Sequence, residues 1–362
     1  MGQSKVAVLT TTPETVLDDY HRLLKLAEYE SYLPKDKDTA LKINISWHHW
    51  YPACSTAPWQ LEGVIRSMLA DGYRRELLHA CHNRTVVVSA KRGEVANKHK
   101  PVVEKYGLRN IHLYEPDEEW ITYKPKGEML ALPKIYPDGI RIPKRLIGEN
   151  IIQLPTVKTH VFTTTTGAMK NAFGGLLHEK RHWTHSVIHE TLVDLLTIQK
   201  EIHTGLFAVM DGTFAGDGPG PRCMVPHVKN TILASADQVA IDAVAAHMMG
   251  FDPMDIPYIR LAHERGLGCG EVKEIEIVGQ EDVLAVNWGF RGHENTFSSR
   301  GQKLIYWGPL KPLEKLLLQT WLVHWSYLAS ILYHDVYWYP FVGRSRVRDA
   351  FKTPWGKLFQ QY

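Results

Sequence analysis

The fold of this chain is decided at residues 151–175, which read IIQLPTVKTHVFTTTTGAMKNAFGG. The apolar run at 151–154 predicts a short strand. The four threonines and Gly167 that follow predict a turn whose backbone N–H groups can cradle an anion at a helix start. Lys170 adds an amine that can bind an anion or attach a cofactor, and Asn171 adds directional hydrogen bonds. The GxxxxGK[ST] spacing of a Walker loop is absent, so an ordinary strand–turn–helix connection stays as the alternative.

Apolar runs and amphipathic stretches alternate on both sides of this segment. Apolar runs predict strands at 5–9, 40–46, 85–89, 206–210, 231–234 and 272–278. Helical spacing predicts helices at 13–29, 59–71, 185–205, 237–249 and 256–265. Asp237 is expected to cap the fourth of these helices. The rhythm predicts an α/β fold with mainly parallel sheets flanked by helices.

The chain divides into three predicted parts. Residues 1–34 form an N-terminal strand and helix, residues 35–280 form an α/β domain with a β-rich insertion at 107–150, and residues 281–362 form a helical, aromatic-rich C-terminal extension. Residues 315–342 are apolar but carry several polar side chains. They fit a helix packed on the domain, a helix at a membrane surface or a membrane span, and the sequence leaves these three open.

Composition limits the classes of function. The 362 residues carry a net charge of +3, which is too balanced to predict nucleic-acid binding. The four cysteines are widely spaced and form no CxxC pair, so no zinc ribbon or iron–sulfur cluster is expected. This cysteine usage and the lack of a secretory cleavage pattern predict a cytoplasmic protein, with membrane association left open.

A row of histidines follows the Thr/Gly turn. His178, His182, His185 and His189 recur at helical spacing and are predicted to share one helix face. Residues 178–182 match H-E-x-x-H, although the Lys and Arg between the histidines are untypical of a zinc protease helix. We expect His178 and His182 to hold a divalent metal ion and His185 to act as an acid or base; a solvated helix face is the alternative.

Polar residues also follow two predicted strands. Asn44 and His48 follow the strand at 40–46, and Asp211 and Asp217 lie in a predicted loop, DGTFAGDGPGPR, after the strand at 206–210. The carboxyl ends of parallel strands are where α/β proteins build their sites. We therefore expect all four to bind substrate or cofactor, with loop packing and turn caps as the alternatives.

The motifs occur in an order that resembles a known family. They are LKINIS (41–46), KTHVFTTTTGAMKNAFGG (158–175), DGTFAGDGPGP (211–221) and SADQVAIDAVAAHMMGFDPMDIPYIRLAHERGLG (235–268). This series, within residues 35–280, resembles the family called domain of unknown function 362 (DUF362). Many members carry a ferredoxin-like cysteine segment, which this chain lacks.

A second resemblance concerns the spacing of His160 and Lys170. It is similar to the core of the lactate racemase family, in which a histidine and a lysine hold a nickel pincer nucleotide. This resemblance implies that Lys170 is an attachment point, that His160 is a ligand and that His48 or His49 transfers a proton.

We therefore predict a metal- or cofactor-assisted enzyme of redox or isomerase type that acts on a small anionic molecule. His160, Lys170 and His185 are the predicted catalytic residues. The predicted binding residues are Lys158, Thr166, Gly167, Asn171, Asp211, Asp217, Asn44 and His48. The alternative is a non-catalytic accessory protein that binds a metal or cofactor, held at a membrane surface through 315–342. The sequence leaves the cofactor and the oligomeric state open.

Overall fold

The computed structural model describes residues 4–280, 282–292 and 294–362, without the side chain of Glu179. The first three residues of the predicted N-terminal part, two residues of the predicted C-terminal extension and the glutamate side chain of the H-E-x-x-H match therefore lie outside the described residues. The strands are β1 (Lys5–Thr10), β2 (Thr39–Ile43), β3 (Leu78–His82), β4 (Arg109–His112), β5 (Trp120–Tyr123), β6 (Ile140–Pro143), β7 (Asn150–Leu154), β8 (Thr156–His160), β9 (Thr164–Thr166), β10 (Gly205–Asp217), β11 (Val225–Ser235) and β12 (Glu276–Gly279).

The helices flank these strands along the whole chain. They are α1 (Val16–Leu26), α2 (Pro58–Ala70), α3 (Ala90–Ala96), α4 (His99–Lys105), α5 (Leu132–Ile135), α6 (Ala168–Leu176), α7 (Ile188–Ile202), α8 (Gln238–Met249), α9 (Pro257–Glu264), α10 (Phe297–Tyr306), α11 (Glu314–Leu318), α12 (His324–Ile331), α13 (Arg344–Lys352) and α14 (Pro354–Gln361). A 3-10 segment, Glu179–Val187, precedes α7, and a π-helix, Leu332–Gly343, joins α12 to α13.

In the described part of the chain, ten strands form one mixed sheet in the order β12-β1-β11-β10-β7-β2-β3-β4, and β8 pairs with β10 and with β9. The neighbours β10, β7, β2, β3 and β4 run parallel. Strands β5 and β6 form a separate antiparallel pair within the segment predicted to be β-rich. The prediction of an α/β fold with a mainly parallel sheet is confirmed.

Successive residues of the strands enter two different cores, as the period of two in a strand requires. Ala40 and Ile151 pack with the helices α6 to α9, whereas Leu41 and Ile152 pack with α1, α2 and the last two helices. The sheet is therefore covered on both faces, which explains the continuous apolar runs of its parallel strands.

The C-terminal extension is helical, as predicted, and its last part packs on the second core. Trp355 is 1% exposed and its ring lies 5.1 Å from that of Trp59, and the rings of Phe359 and Trp50 stack at 4.1 Å. Within the described residues, no helix combines the length and the apolar character needed to cross a membrane.

Two local predictions are wrong. Residues 85–89, TVVVS, do not form a strand, because the strand at this position is β3 and it ends at His82. TVVVS instead forms the loop between β3 and α3, and Ser89 caps α3. The segment from Asp211 to Asp217 is not a loop, because β10 continues through it by pairing first with β7 and then with β8.

The prediction of one helical histidine face is also wrong. His178 caps the 3-10 segment, His182 and His185 lie within that segment, and His189 lies in the first turn of α7. A 3-10 helix has three residues per turn rather than 3.6, so a spacing of four or seven residues no longer returns to the same face. The four rings accordingly contact different neighbours.

The start of α6 is held by a carboxylate from a distant helix. Asp242 on α8 accepts hydrogen bonds from the backbone N–H groups of Ala168, at 2.6 Å, and Met169, at 3.2 Å. The predicted anion position at this helix start is therefore occupied by a side chain of the protein itself, whose pKa burial raises to about 7. A Cβ atom at Gly167 would lie 2.0 Å from Oδ1 of Asp242, so this contact explains why the residue is glycine.

Substitution Gly167→Ala is expected to destabilise the fold by about 2 kcal/mol or more, because the added methyl group must displace the buried Asp242 carboxylate. The matched control is Gly301→Ala on the exposed side of α10, where a Cβ would meet nothing within 4 Å. The control should be neutral or stabilising by up to ~1 kcal/mol. Urea unfolding measures both, and equal stability of Gly167→Ala and the wild type would contradict the contact.

Candidate functional site

A cavity of ≈ 300 Å³ lies at the carboxyl ends of β2 and β3. Its lining includes Asn44 after β2, Asn83 after β3, His160 at the end of β8 and Lys170 on α6. The volume is within the range of small-molecule sites, and the carboxyl edge of a parallel sheet is the usual place for one. The sheet therefore positions most of this candidate site.

Four cationic side chains line the cavity: Lys42, Lys170, Arg181 and Arg222. Among the described residues of the lining, none is an aspartate or a glutamate. Lys42 donates to the carbonyl oxygen of Ile43 at 2.6 Å, and Arg222 donates to the hydroxyl of Ser330 at 3.3 Å, so both bond to neutral oxygens. The cavity consequently favours a negatively charged ligand.

Lys170 is the third residue of α6 and is partly exposed in the cavity. Its Nζ lies 5.7 Å from the centre of the Phe173 ring. Burial lowers the pKa of Lys170 to about 7, and the positive charges of Lys158 and Arg181 act in the same direction. A large fraction of this amine is therefore neutral near pH 7, and a neutral amine can accept a proton or attack a carbonyl.

His160 and His185 line the same cavity in their neutral forms. Burial, followed by the charge of Lys170, lowers the pKa of both rings, and that of His185 falls to about 3. Nδ1 of His160 accepts a hydrogen bond from the backbone N–H of Phe162 at 3.1 Å, so the proton of the neutral ring is on Nε2. Nδ1 of His185 lies 3.2 Å from the Tyr306 hydroxyl. His160 can therefore donate a hydrogen bond to a ligand.

Two buried polar atoms at the cavity lack a hydrogen-bond partner within the described part of the chain. They are Oγ1 of Thr166 and Nη1 of Arg222, and both residues belong to the lining. A buried polar group without a partner costs about 1–3 kcal/mol. An anion in the cavity could accept hydrogen bonds from both atoms and remove this cost.

The C-terminal extension supplies part of the wall of the cavity. This wall is rich in hydroxyl groups, which come from Thr296, Ser298, Ser299, Tyr306, Ser326, Tyr327 and Ser330. Hydroxyl groups can both donate and accept hydrogen bonds. The ligand would thus meet both cations and neutral hydroxyl groups, and Arg222 contacts one of these hydroxyl groups, that of Ser330.

The structure brings several predicted residues to the cavity. Besides His160, Lys170 and His185, the lining contains Asn44, Thr166, Asn171 and His182. Asn171 also donates to the Lys42 carbonyl and to Oε1 of Gln153, both at 2.9 Å, and so ties α6 to β2 and β7.

Other predicted residues have structural partners elsewhere. Lys158 is fully buried and bonds to Thr156. Asp211 accepts hydrogen bonds from the Tyr20 hydroxyl at 2.7 Å and from Nε1 of Trp59 at 2.9 Å. Asp217 accepts one from the backbone N–H of Arg291 at 2.6 Å. Lys158 lies on β8 and the two aspartates lie on β10, each with a hydrogen-bond partner inside the fold.

His178 and His48 also lie apart from the cavity lining. The ring of His178 lies 5.5 Å from that of Tyr136, and neither His178 nor His182 belongs to a group of three potential metal ligands among the described residues. His48 lines a second, more open cavity of ≈ 890 Å³ together with His49 and Asp335. The loop at 85–88 borders both cavities.

Three of the four cavity cations were not predicted from the sequence as site residues. Lys42 interrupts a buried apolar strand, and a lysine at such a position is a signal that could have identified it. Arg222 ends the motif DGTFAGDGPGPR, and Arg181 lies among the histidines. The hydroxyl groups of the C-terminal wall left no sequence signal, because only the tertiary fold brings them to the cavity.

Comparison with known proteins identifies the family to which the chain belongs. The profile of the family described as Domain of unknown function (DUF362) matches residues 39–247, more than half of the chain. The chain belongs to the DUF362 family. The matched region contains all four cavity cations. It ends before the hydroxyl-bearing residues of the C-terminal extension, which therefore lie outside the DUF362 match.

The chain is also similar to the Thylakoid-associated protein sll1697 of Synechocystis sp. The two are 29% identical over 136 residues, a stretch that covers 35% of this chain and 41% of that relative. The chain therefore matches less than half of the length of this curated relative.

We expect Lys170 to react with 2,4,6-trinitrobenzenesulfonate at lower pH than the surface lysines. The reagent attacks neutral amines, so labelling of the Lys170 peptide should rise with a midpoint near pH 7, while exposed lysines label near their usual pKa of about 10.4. Peptide mass spectrometry after short labelling pulses measures both profiles. A Lys170 midpoint at pH 10 would contradict the perturbed amine.

Proposed function

We propose that the chain is an enzyme that binds a small organic anion in the ≈ 300 Å³ cavity and transfers a proton of that anion. The observation that carries the proposal is the cluster of cations in a lining whose described residues include no carboxylate. A phosphate or carboxylate group of the ligand would pair with Lys42 and Arg222 and would accept from the buried Nη1 of Arg222.

The reacting groups are Lys170 and His160. The neutral amine of Lys170 accepts a proton from the bound anion, and the Nε2–H group of His160 donates a hydrogen bond to the negative charge that develops. The proton moves from the ligand to Nζ of Lys170 and returns to another atom or face of the same ligand, so no oxidant is needed. This is the isomerase form of the reaction; the attachment of a cofactor implied by the lactate racemase resemblance would use the same amine.

The charge of the cavity makes anion binding depend on pH. Burial lowers the pKa of Lys42 to about 8 and that of Lys170 to about 7. Positive charge is therefore lost from the cavity as the pH rises from about 7 to 9. We expect the affinity for anions to fall over this range, and a doubly charged probe should lose more affinity than a singly charged one.

Inorganic pyrophosphate is the probe that tests binding. Calorimetric titration at low salt should detect one site in the wild type, and Arg222→Gln should weaken it at least about 10-fold, because a charge-assisted hydrogen bond is lost. The matched control is Arg346→Gln, which removes a guanidinium that donates to the Met224 carbonyl and does not line the cavity. Equal effects of the two variants would contradict the assignment of the site.

An organic anion that displaces pyrophosphate then tests whether the chain is an enzyme or a non-catalytic accessory protein. In D2O, the wild type should exchange a C–H proton of this anion for deuterium, which NMR detects. Lys170→Gln should abolish the exchange, because the proton acceptor is lost. Bound anions that keep all their protons in the presence of the wild type would favour the accessory protein.

A second candidate function, attachment to an anionic membrane surface, is supported by an exposed apolar stripe. From α12 into the π-helix, exposed apolar residues recur three to five positions apart: Trp325, Leu328, Leu332, Val336 and Phe341. The exposed basic residues Arg344, Arg348 and Lys352 follow on α13. A helix with an apolar stripe beside basic residues is typical of an interfacial helix that binds anionic lipid.

Vesicle sedimentation tests this attachment. The wild type should sediment with vesicles that contain phosphatidylglycerol and much less with pure phosphatidylcholine vesicles. The double substitution Leu328→Ser with Phe341→Ser should reduce the bound fraction several-fold, because it removes apolar area from the stripe. Val95→Ser, at an exposed apolar position on α3, is the control and should bind like the wild type. If the double variant bound vesicles as well as the wild type does, the role of the stripe would be contradicted.

A further inference from the structure

A group of potential metal ligands lies at the edge of the sheet, outside both cavities. His82 is the last residue of β3 and His112 is the last residue of β4, and the two are direct neighbours in the parallel register. Glu94 lies on α3, within the connection between these strands. Nε2 of each histidine lies 2.9 Å from the same oxygen, Oε2 of Glu94.

We propose that His82, Glu94 and His112 form a binding site for a divalent metal ion of the zinc type. Two histidines and one carboxylate are a common ligand set for Zn²⁺, with a water molecule as the fourth ligand. Bonds of about 2.0–2.1 Å in a tetrahedron place ligand atoms about 3.3 Å apart. The three ligand atoms already lie within 4.8 Å of one another, so side-chain adjustments could complete the geometry.

The present hydrogen bonds would rearrange around an ion. Nε2 of His82 and Nε2 of His112 both lie at hydrogen-bond distance from Oε2 of Glu94, and Asn110 donates to the same oxygen at 2.8 Å. An ion bound to Nε2 of His82 would leave the proton of the neutral ring on Nδ1, which has no partner among the described residues.

An ion could reach this group from one side only. The side chain of His112 is 17% exposed, whereas those of Glu94 and His82 are 7% and 1% exposed. The ion would join β3, β4 and α3, and the next residue after His82, Asn83, lines the anion cavity. Metal binding would therefore stabilise the wall of the cavity from behind.

The competing group is His48, His49 and Asp335. There, Nε2 of His48 lies 3.6 Å from Asp335, and the other carboxylate oxygen accepts from Nε1 of Trp47 at 2.6 Å. Its ligands come from a loop and from the C-terminal π-helix rather than from two adjacent strands. The group at His82 is preferred because both histidine nitrogens already lie 2.9 Å from the same carboxylate oxygen.

The test uses the full chain after dialysis against EDTA. Titration with Co²⁺ should produce the visible absorption bands of a tetrahedral site at one equivalent, Zn²⁺ should displace Co²⁺, and Zn²⁺ should raise Tm. Glu94→Gln and His112→Gln should each weaken Zn²⁺ binding at least about 10-fold, because each removes a ligand. Circular dichroism checks that both variants fold.

Two control variants make the outcome decisive. Glu149→Gln alters the other buried His–Glu pair of β3, in which Nε2 of His79 lies 3.0 Å from Glu149, and it should leave Zn²⁺ binding unchanged. His49→Gln should also leave it unchanged. The proposal is overturned if the wild type binds no Zn²⁺ at micromolar concentration, or if Glu94→Gln binds it normally while His49→Gln does not.

Discussion

The carboxylate of Asp242 occupies the N-terminus of α6, and the positions of the cavity residues on this helix depend on that contact. It accepts from the backbone N–H groups of Ala168 and Met169, so a ligand cannot use these donors, although the Thr/Gly turn resembles an anion cradle. The helix is also tied to β2 and β7 through Asn171. Held at these points, α6 presents Lys170 to the carboxyl edge of the sheet, where the other cations lie.

Lys42 and Arg222, two of the four cavity cations, form hydrogen bonds to neutral oxygens. A buried charge without a counterion is costly, and such local costs are expected at functional sites. Burial lowers the pKa of Lys170 to about 7, and polar atoms of Thr166 and Arg222 lack partners among the described residues. The proposed ligand anion would pair with these groups together.

The sequence predicted the regular part of the fold well, because burial on both faces of the parallel sheet produces apolar strands with clear helices between them. Asp237 caps α8, and Gly250 ends it in the left-handed conformation, as the local signals indicate.

Lys170, His160 and Asn171 were found because the turn that carries them is local. TVVVS was misassigned because strand composition does not exclude a loop, while the true strand, LHACH, contains two histidines. The histidine row failed because 3.6 residues per turn was assumed where the chain forms a 3-10 segment. Asp242 and the hydroxyl-rich wall come from distant parts of the chain, and local sequence carries no signal for such contacts.

The most direct measurement is a crystal structure of the protein grown with selenate, an anomalously scattering analogue of sulfate and phosphate. We predict an anomalous peak in the ≈ 300 Å³ cavity, within hydrogen-bond distance of Nζ of Lys170 or Nη1 of Arg222. Selenate found only at exposed basic residues such as Arg344 and Arg348, with ordered water alone in the cavity, would contradict the claim that the cavity is an anion site.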